Sequence, residues 1–198
     1  MQMNSTFVMN RPRTWWLVAF VVAFGALSVS AYFAWKAIDR PDTKAPSPGS
    51  SDRGSLNQET VRNTAGGYAF DYPVEWSVTQ SGSVTKVTSP NEEVVVSFGL
   101  APTGDLLVAS DRFLAILRES FVKLELGGRQ LGSTGGHLSM VRTGSAVDVD
   151  GEELRFSAVT IEGEQQNIAI AVFAKTTSGP TLSSITNKIV ASTRLLSD

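Results

Sequence analysis

The chain has 198 residues, no cysteine, one histidine and a formal charge of −2. The missing cysteines exclude a disulfide framework, a thiol nucleophile, a thiolate metal site and a lipidated N-terminal cysteine. Residues 1–44 hold five Lys/Arg and two acids, whereas residues 45–198 hold 12 basic and 17 acidic residues; nucleic acid repels a domain so acidic and is excluded as a partner.

The first element is apolar. From Thr14 to Trp35 the chain reads TWWLVAFVVAFGALSVSAYFAW, without a charge. At ~1.5 Å per residue, Trp15 to Trp35 spans roughly 30 Å, the thickness of a hydrocarbon core. Trp15 and Trp16 at one end and Tyr32, Phe33 and Trp35 at the other form the aromatic belts that suit the two interfaces. The expectation is a transmembrane helix over 15–35, in contact with the lipid bilayer, behind a cytoplasmic tail over 1–14. A cleaved leader is the rival reading: Arg11 and Arg13 supply the basic region, and Val29-Ser30-Ala31 supplies small residues for cleavage after Ala31. The apolar run continuing through Trp35 favours the anchor. Positive-inside counting sets Arg11 and Arg13 against Lys36, Arg40 and Lys44 and does not decide orientation. A short tail before a first apolar helix is the pattern of a signal-anchor. The expected placement is therefore the cell membrane, single-pass, with the N-terminus cytoplasmic and the C-terminal domain extracellular.

Residues 36–65 read as a flexible linker. The stretch RPDTKAPSPGSSDRGSLNQETVRN has three prolines and almost no large apolar side chain, too little to offset the entropy of ordering it.

The folded domain is expected over 66–198. Tyr68, Phe70 and Tyr72 alternate with Ala69 and Asp71, a strand period ended by Pro73. Val74-Glu75-Trp76 makes a turn that drops Trp76 toward the core. Ser77–Thr79 and Thr85–Thr88 predict short strands around Ser81-Gly82, and Glu93–Leu100 a β-branched strand. Asp105–Phe121 predicts a helix, with Leu106, Leu107, Ser110, Phe113, Leu114, Leu117 and Phe121 on one stripe. Gly127-Gly128 closes that region. Three strands follow: His137–Asp148, interrupted near Gly144; Leu154–Ile161, joined through Asp150-Gly151; and Asn167–Lys175, apolar on both faces like a central strand. Ser178-Gly179-Pro180 opens a closing helix with Leu182, Ile185, Ile189 and Leu196 as its stripe. Hairpin-length connections demand antiparallel pairing, so the expected fold class is α+β: one antiparallel β-sheet flanked by two main helices.

The segment Phe70-Asp71-Tyr72-Pro73-Val74-Glu75-Trp76 resembles the opening of the PsbP-like superfamily. The order hairpin, helix, meander and C-terminal helix, ending in Ile189–Leu195, extends the resemblance over Gly66–Leu196. That family includes a photosystem II extrinsic protein, a Ran-binding nuclear-import factor and exported lipoproteins of the LpqN type. The resemblance implies an α/β/α sandwich and a binding or assembly role without catalysis. Tyr72, Pro73 and Trp76 match as structural positions and carry no site. The chain departs from LpqN-type members in lacking the lipidated cysteine.

His137, after Gly135-Gly136, reads as a loop or edge histidine, since no Gly-x-Ser-x-Gly elbow accompanies it and a zinc site wants several histidines. Asp148-x-Asp150-Gly151-Glu152-Glu153 resembles a fragment of a calcium loop but lacks the distal glutamate register, and reads as an acidic hairpin tip. Gly127–Gly136 lacks phosphate-loop register and reads as a mobile loop or binding rim. Trp76, Phe98, Phe113, Phe156 and Phe173 read as core. No residue is assigned a catalytic, cofactor-binding or metal-binding role, and no cofactor is expected. The expected function is a membrane-anchored extracytoplasmic binding or assembly module, not an enzyme, with an envelope protein or a small apolar ligand as partner. An apolar small-molecule or lipid carrier is the alternative, and a hydrolase the second.

Overall fold

A computed structural model describes residues 57–102 and 104–196. The tail over 1–14, the span over 15–35 and the linker as far as residue 56 lie outside the described residues. Among those described, no helix is long and apolar enough to cross a membrane.

The described residues form ten strands and two helices in the order β1 (Gln58–Asn63), β2 (Tyr68–Pro73), β3 (Ser77–Ser81), β4 (Val84–Thr88), β5 (Val94–Leu100), α1 (Leu106–Glu119), β6 (Lys123–Thr134), β7 (His137–Val147), β8 (Glu153–Ile161), β9 (Ile168–Lys175), α2 (Pro180–Ala191) and β10 (Arg194–Leu195). All pairings are antiparallel. They form two sheets rather than the expected one: β1-β2-β10, and a seven-stranded sheet ordered β3-β4-β5-β9-β8-β7-β6. β9 is the middle strand, in keeping with apolar residues on both its faces.

The two faces of β9 define the layers. Ile168, Ile170 and Val172 point to one side and join Val87, Val96, Phe98 and Val159 with Tyr68, Phe70 and Ile189. Ala169 and Ala171 point to the other and join Phe113, Leu114, Leu117, Phe156 and Ala158. One face of the large sheet is thus covered by the small sheet and α2, the other by α1. The first core is aromatic: Phe70 lies on Phe98 with ring centroids 3.9 Å apart, and Tyr68 lies 5.6 Å from Phe98. Trp76 is buried there too, as its turn predicts.

Four further expectations need correction. The linker does not run to residue 65, because Gln58–Asn63 pairs along its whole length with β2. Only Val61 and Asn63 of β1 turn inward, so the strand is held by backbone bonds and carries almost no apolar signature. Gly127–Thr134 is no loop. It belongs to a 12-residue edge strand, and Gly127 and Gly128 together face Thr143, a bulge that shifts the register between Leu126 and Arg129. Nor does Gly144 interrupt β7. A Cβ there would collide with the Glu125 carbonyl oxygen and the Phe156 ring, so glycine is what lets Phe156 lie across the strand. At the C-terminus, α2 ends at Ala191. Leu196 therefore lies beyond the helix stripe, past β10, which pairs with β2. Gly179 caps α2 without a side-chain bond, while the Ser178 hydroxyl donates to the Glu93 carbonyl at 3.2 Å.

Candidate binding surface

The carboxylate of Asp105 opens α1 by accepting from the Val108 N–H at 2.9 Å. Ala109, Phe113 and Leu117 then face the sheet and are buried. A neighbouring stripe holds Leu107 and, one turn on, Asp111. Asp111 fixes where that stripe points, since Arg129 of β6 donates to both its carboxylate oxygens at 2.9 and 3.2 Å. Arg142 of β7 stands 3.9 Å from the same carboxylate. The bulge turns the Gly127 carbonyl toward Arg142, whose Nη1 donates to it at 2.9 Å. The Arg142 side chain is only 17 % exposed, and its Nε is buried without a hydrogen-bond partner. The stripe of α1 with Leu107 and Asp111 therefore looks out over β6 and β7.

On this face Leu138 pairs with Ser133, and Leu131 with Met140. Leu131 and Leu138 are thus diagonal neighbours on the α1 side of the sheet. They are 68 % and 50 % exposed, and Leu107 is 43 % exposed, while Met140 beneath them is buried. Three large apolar side chains in water beside an arginine-aspartate cluster suit a docking contact better than chemistry.

The residues singled out from sequence do not converge. His137 is half-buried in the closing pair of the β6–β7 hairpin, opposite Thr134. The Thr134 hydroxyl donates to the Ser139 hydroxyl at 3.1 Å. Asp148 spends one carboxylate oxygen on its own turn, accepting from the N–H groups of Asp150 at 3.0 Å and Glu152 at 2.8 Å. Glu152 pairs with Lys175 at 2.8 Å. Among the described residues, no three His, Asp or Glu side chains gather in a way that could hold a metal ion.

A second polar cluster has its hub, Asn63, in the presumed linker, which hides it from the sequence. Asn63 is fully buried. It accepts from the Gly66 N–H at 2.8 Å, and its Nδ2 lies 3.0 Å from the Gly82 carbonyl, 3.0 Å from the Thr85 hydroxyl and 3.2 Å from the Tyr68 hydroxyl. The Tyr68 hydroxyl in turn lies 2.9 Å from the Ser83 carbonyl. Burial pushes its pKa up to about 12, partly offset by the bonds from Thr85 and Asn63. This cluster bolts the small sheet to the β3–β4 turn; it faces the core, not solvent. Asn-Thr-Ala-Gly-Gly at 63–67, a turn signature, was the available signal. The partners Asp111, Arg129 and Arg142 carried no sequence signal, because only the sheet register and α1 bring them together.

No family model and no curated protein matches the sequence. Solved structures do match the fold. The chain is similar to cyanobacterial PsbP (CyanoP) from Synechocystis sp. PCC 6803, at 15 % identity and a TM-score of 0.55 over 76 % of this chain and 99 % of that one. It is similar to the Ran-binding protein Mog1p of Saccharomyces cerevisiae, at 12 % identity and 0.54 over 72 % and 97 %. It is also similar to LpqN of Mycobacterium tuberculosis, a protein involved in cell envelope biogenesis, at 14 % identity and 0.52 over 71 % and 91 %. The fold of residues 57–196 is PsbP/Mog1-like, a sheet-rich α+β arrangement with two helices and antiparallel sheets.

Proposed function

We propose that the protein is a membrane-tethered binding or assembly module, held outside the cytoplasm by residues 15–35, with no catalytic activity of its own. The observation that carries this reading is the exposed apolar face of α1, β6 and β7, where Leu107, Leu131 and Leu138 stand in solvent beside the Asp111–Arg129–Arg142 cluster. The likeness to Mog1p, which is Ran-binding, and to LpqN, which is involved in cell envelope biogenesis, supports a protein partner. The uncharged run before the domain supports the tether.

The carrier reading is disfavoured by the stacking of Tyr68, Phe70 and Phe98 between the sheets, in the space where an apolar ligand would sit. The test is crosslinked recovery from intact membranes with wild-type protein and with Leu107→Asp. A specific protein captured by the first and lost from the second is the expected outcome. Lipid co-purifying with both, or equal capture by both, would overturn the proposal.

A further inference from the structure

We infer that the outer edge of β6 joins a second copy of this chain, β6 to β6, antiparallel about a two-fold axis at Leu131. The inference names one partner of the face described above and rests on the reading of that face as a docking surface. Among the described residues no strand lies on the outer side of β6. Natural sheets guard such edges with proline, charge, bulges or short length, and the bulge of β6 lies at Gly127-Gly128, before the Arg129–Ser133 stretch. Residues 128–134 have no proline and a single charge, Arg129. The opposite edge, β3, is five residues long.

The register follows from the hairpin turn. Gly135 and Gly136 have φ of +60° and +85°, which places them in a two-residue turn of the mirror type. Thr134 and His137 are then the closing hydrogen-bonded pair, and alternate residues back along β6 bond inward: Gly132 and Gln130. Ser133, Leu131 and Arg129 are left with their N–H and C=O groups pointing out of the sheet. A two-fold at Leu131 pairs Leu131 with its own copy and Arg129 with Ser133 of the other chain. Every outward group in that stretch then has a partner, and the two Arg129 side chains are not opposite each other.

The side chains fit the same axis. Leu131 lies on the α1 face, so the two copies meet there. Leu138, Leu131 and their symmetry mates make one continuous apolar band, with a Leu107 at each side. The 68 % exposure of Leu131 in the single chain is thereby relieved. A two-fold perpendicular to the sheet also turns both α1 layers to one side and both small sheets to the other. β1, from which the N-terminal segment departs, belongs to the small sheet. The two β1 strands, which begin at Gln58, therefore lie on the same side of the pair, as two chains rooted in one membrane require.

The full chain has no cysteine, so single cysteines test the contact directly. Membranes carrying Leu131→Cys protein are treated with a short bismaleimide. A crosslinked homodimer is expected, while Val149→Cys, at the exposed β7–β8 turn at the far end of the sheet, gives none. Leu131→Lys sets two ammonium groups face to face across the axis. In detergent it is expected to convert the full chain from dimer to monomer by light scattering, with an unchanged circular dichroism spectrum. A monomeric wild type, equal crosslinking at 131 and 149, or crosslinking of Leu131→Cys to a different protein would each overturn the inference. Leu107→Asp separates it from the docking reading: a variant that loses its captured protein but keeps the crosslink at 131 supports both, and one that keeps both refutes only the docking partner.

Discussion

Asn63→Ala is the sharpest test of how the domain is held together. The side chain is fully buried and serves three segments at once: the β1–β2 turn through Gly66, the β3–β4 turn through Gly82, and β4 through Thr85. Truncation leaves Tyr68 and Thr85 bonded to each other at 3.0 Å. The Gly66 N–H and the Gly82 carbonyl are the groups that lose a partner. Gly66 is buried whereas Gly82 is exposed and its carbonyl can turn to water, so only the Gly66 N–H carries the cost of a stranded buried group and the substitution should cost about 1–3 kcal/mol. That is a large part of the roughly 5–15 kcal/mol that stabilises a domain. Urea unfolding of residues 57–198 reads it cleanly, since Trp76 is the one tryptophan in that segment. The midpoint should fall with the slope unchanged, because the surface exposed on unfolding is the same. Asn63→Asp keeps the acceptor for Gly66 but loses the donor and buries a charge, so at neutral pH it should cost at least as much. A loss below about 0.5 kcal/mol for Asn63→Ala, the range of ordinary surface changes, would refute the bolt.

Three further outcomes follow from the same geometry. Burial raises the Tyr68 pKa from 10.0 to about 12. The raised folded value means that stability is intact below pH 10 and is lost as pH climbs toward 12. The loss is on the order of 2–3 kcal/mol, and Tyr68→Phe should flatten that slope in alkaline unfolding curves. Gly144→Val should cost more than about 3 kcal/mol, since its Cβ would meet both the Glu125 carbonyl and the Phe156 ring; a soluble variant of near-wild-type melting temperature would refute the close approach. Asp111→Ala leaves Arg142 mostly buried beside Arg129 and should cost about 1–2 kcal/mol. Arg142→Met should cost less, because it removes the orphaned Nε along with the charge. The reverse order in thermal unfolding would show that the guanidinium is better satisfied than its contacts imply.

The sequence by itself determined the elements whose periodicity is strong. The alternation of Tyr68, Phe70 and Tyr72 marked β2, the stripe from Leu106 to Leu117 marked α1, and the two-faced apolar run in β9 marked the central strand. In each, burial of one or both faces writes a repeat into the residues themselves. Tertiary structure alone decided the rest. β1 is held by its ladder to β2 and needs only Val61 and Asn63 to face inward, so its sequence looks like linker. β6 is an edge strand with a glycine bulge, nine of whose 12 residues are exposed, so nothing in its composition separates it from a loop. The division into two sheets and the meeting of Asp111 with Arg129 and Arg142 depend on contacts far apart in the chain. So does the exposed face of Leu107, Leu131 and Leu138. Local patterning records which side chains are buried, whereas a surface for a partner is made of those that are not.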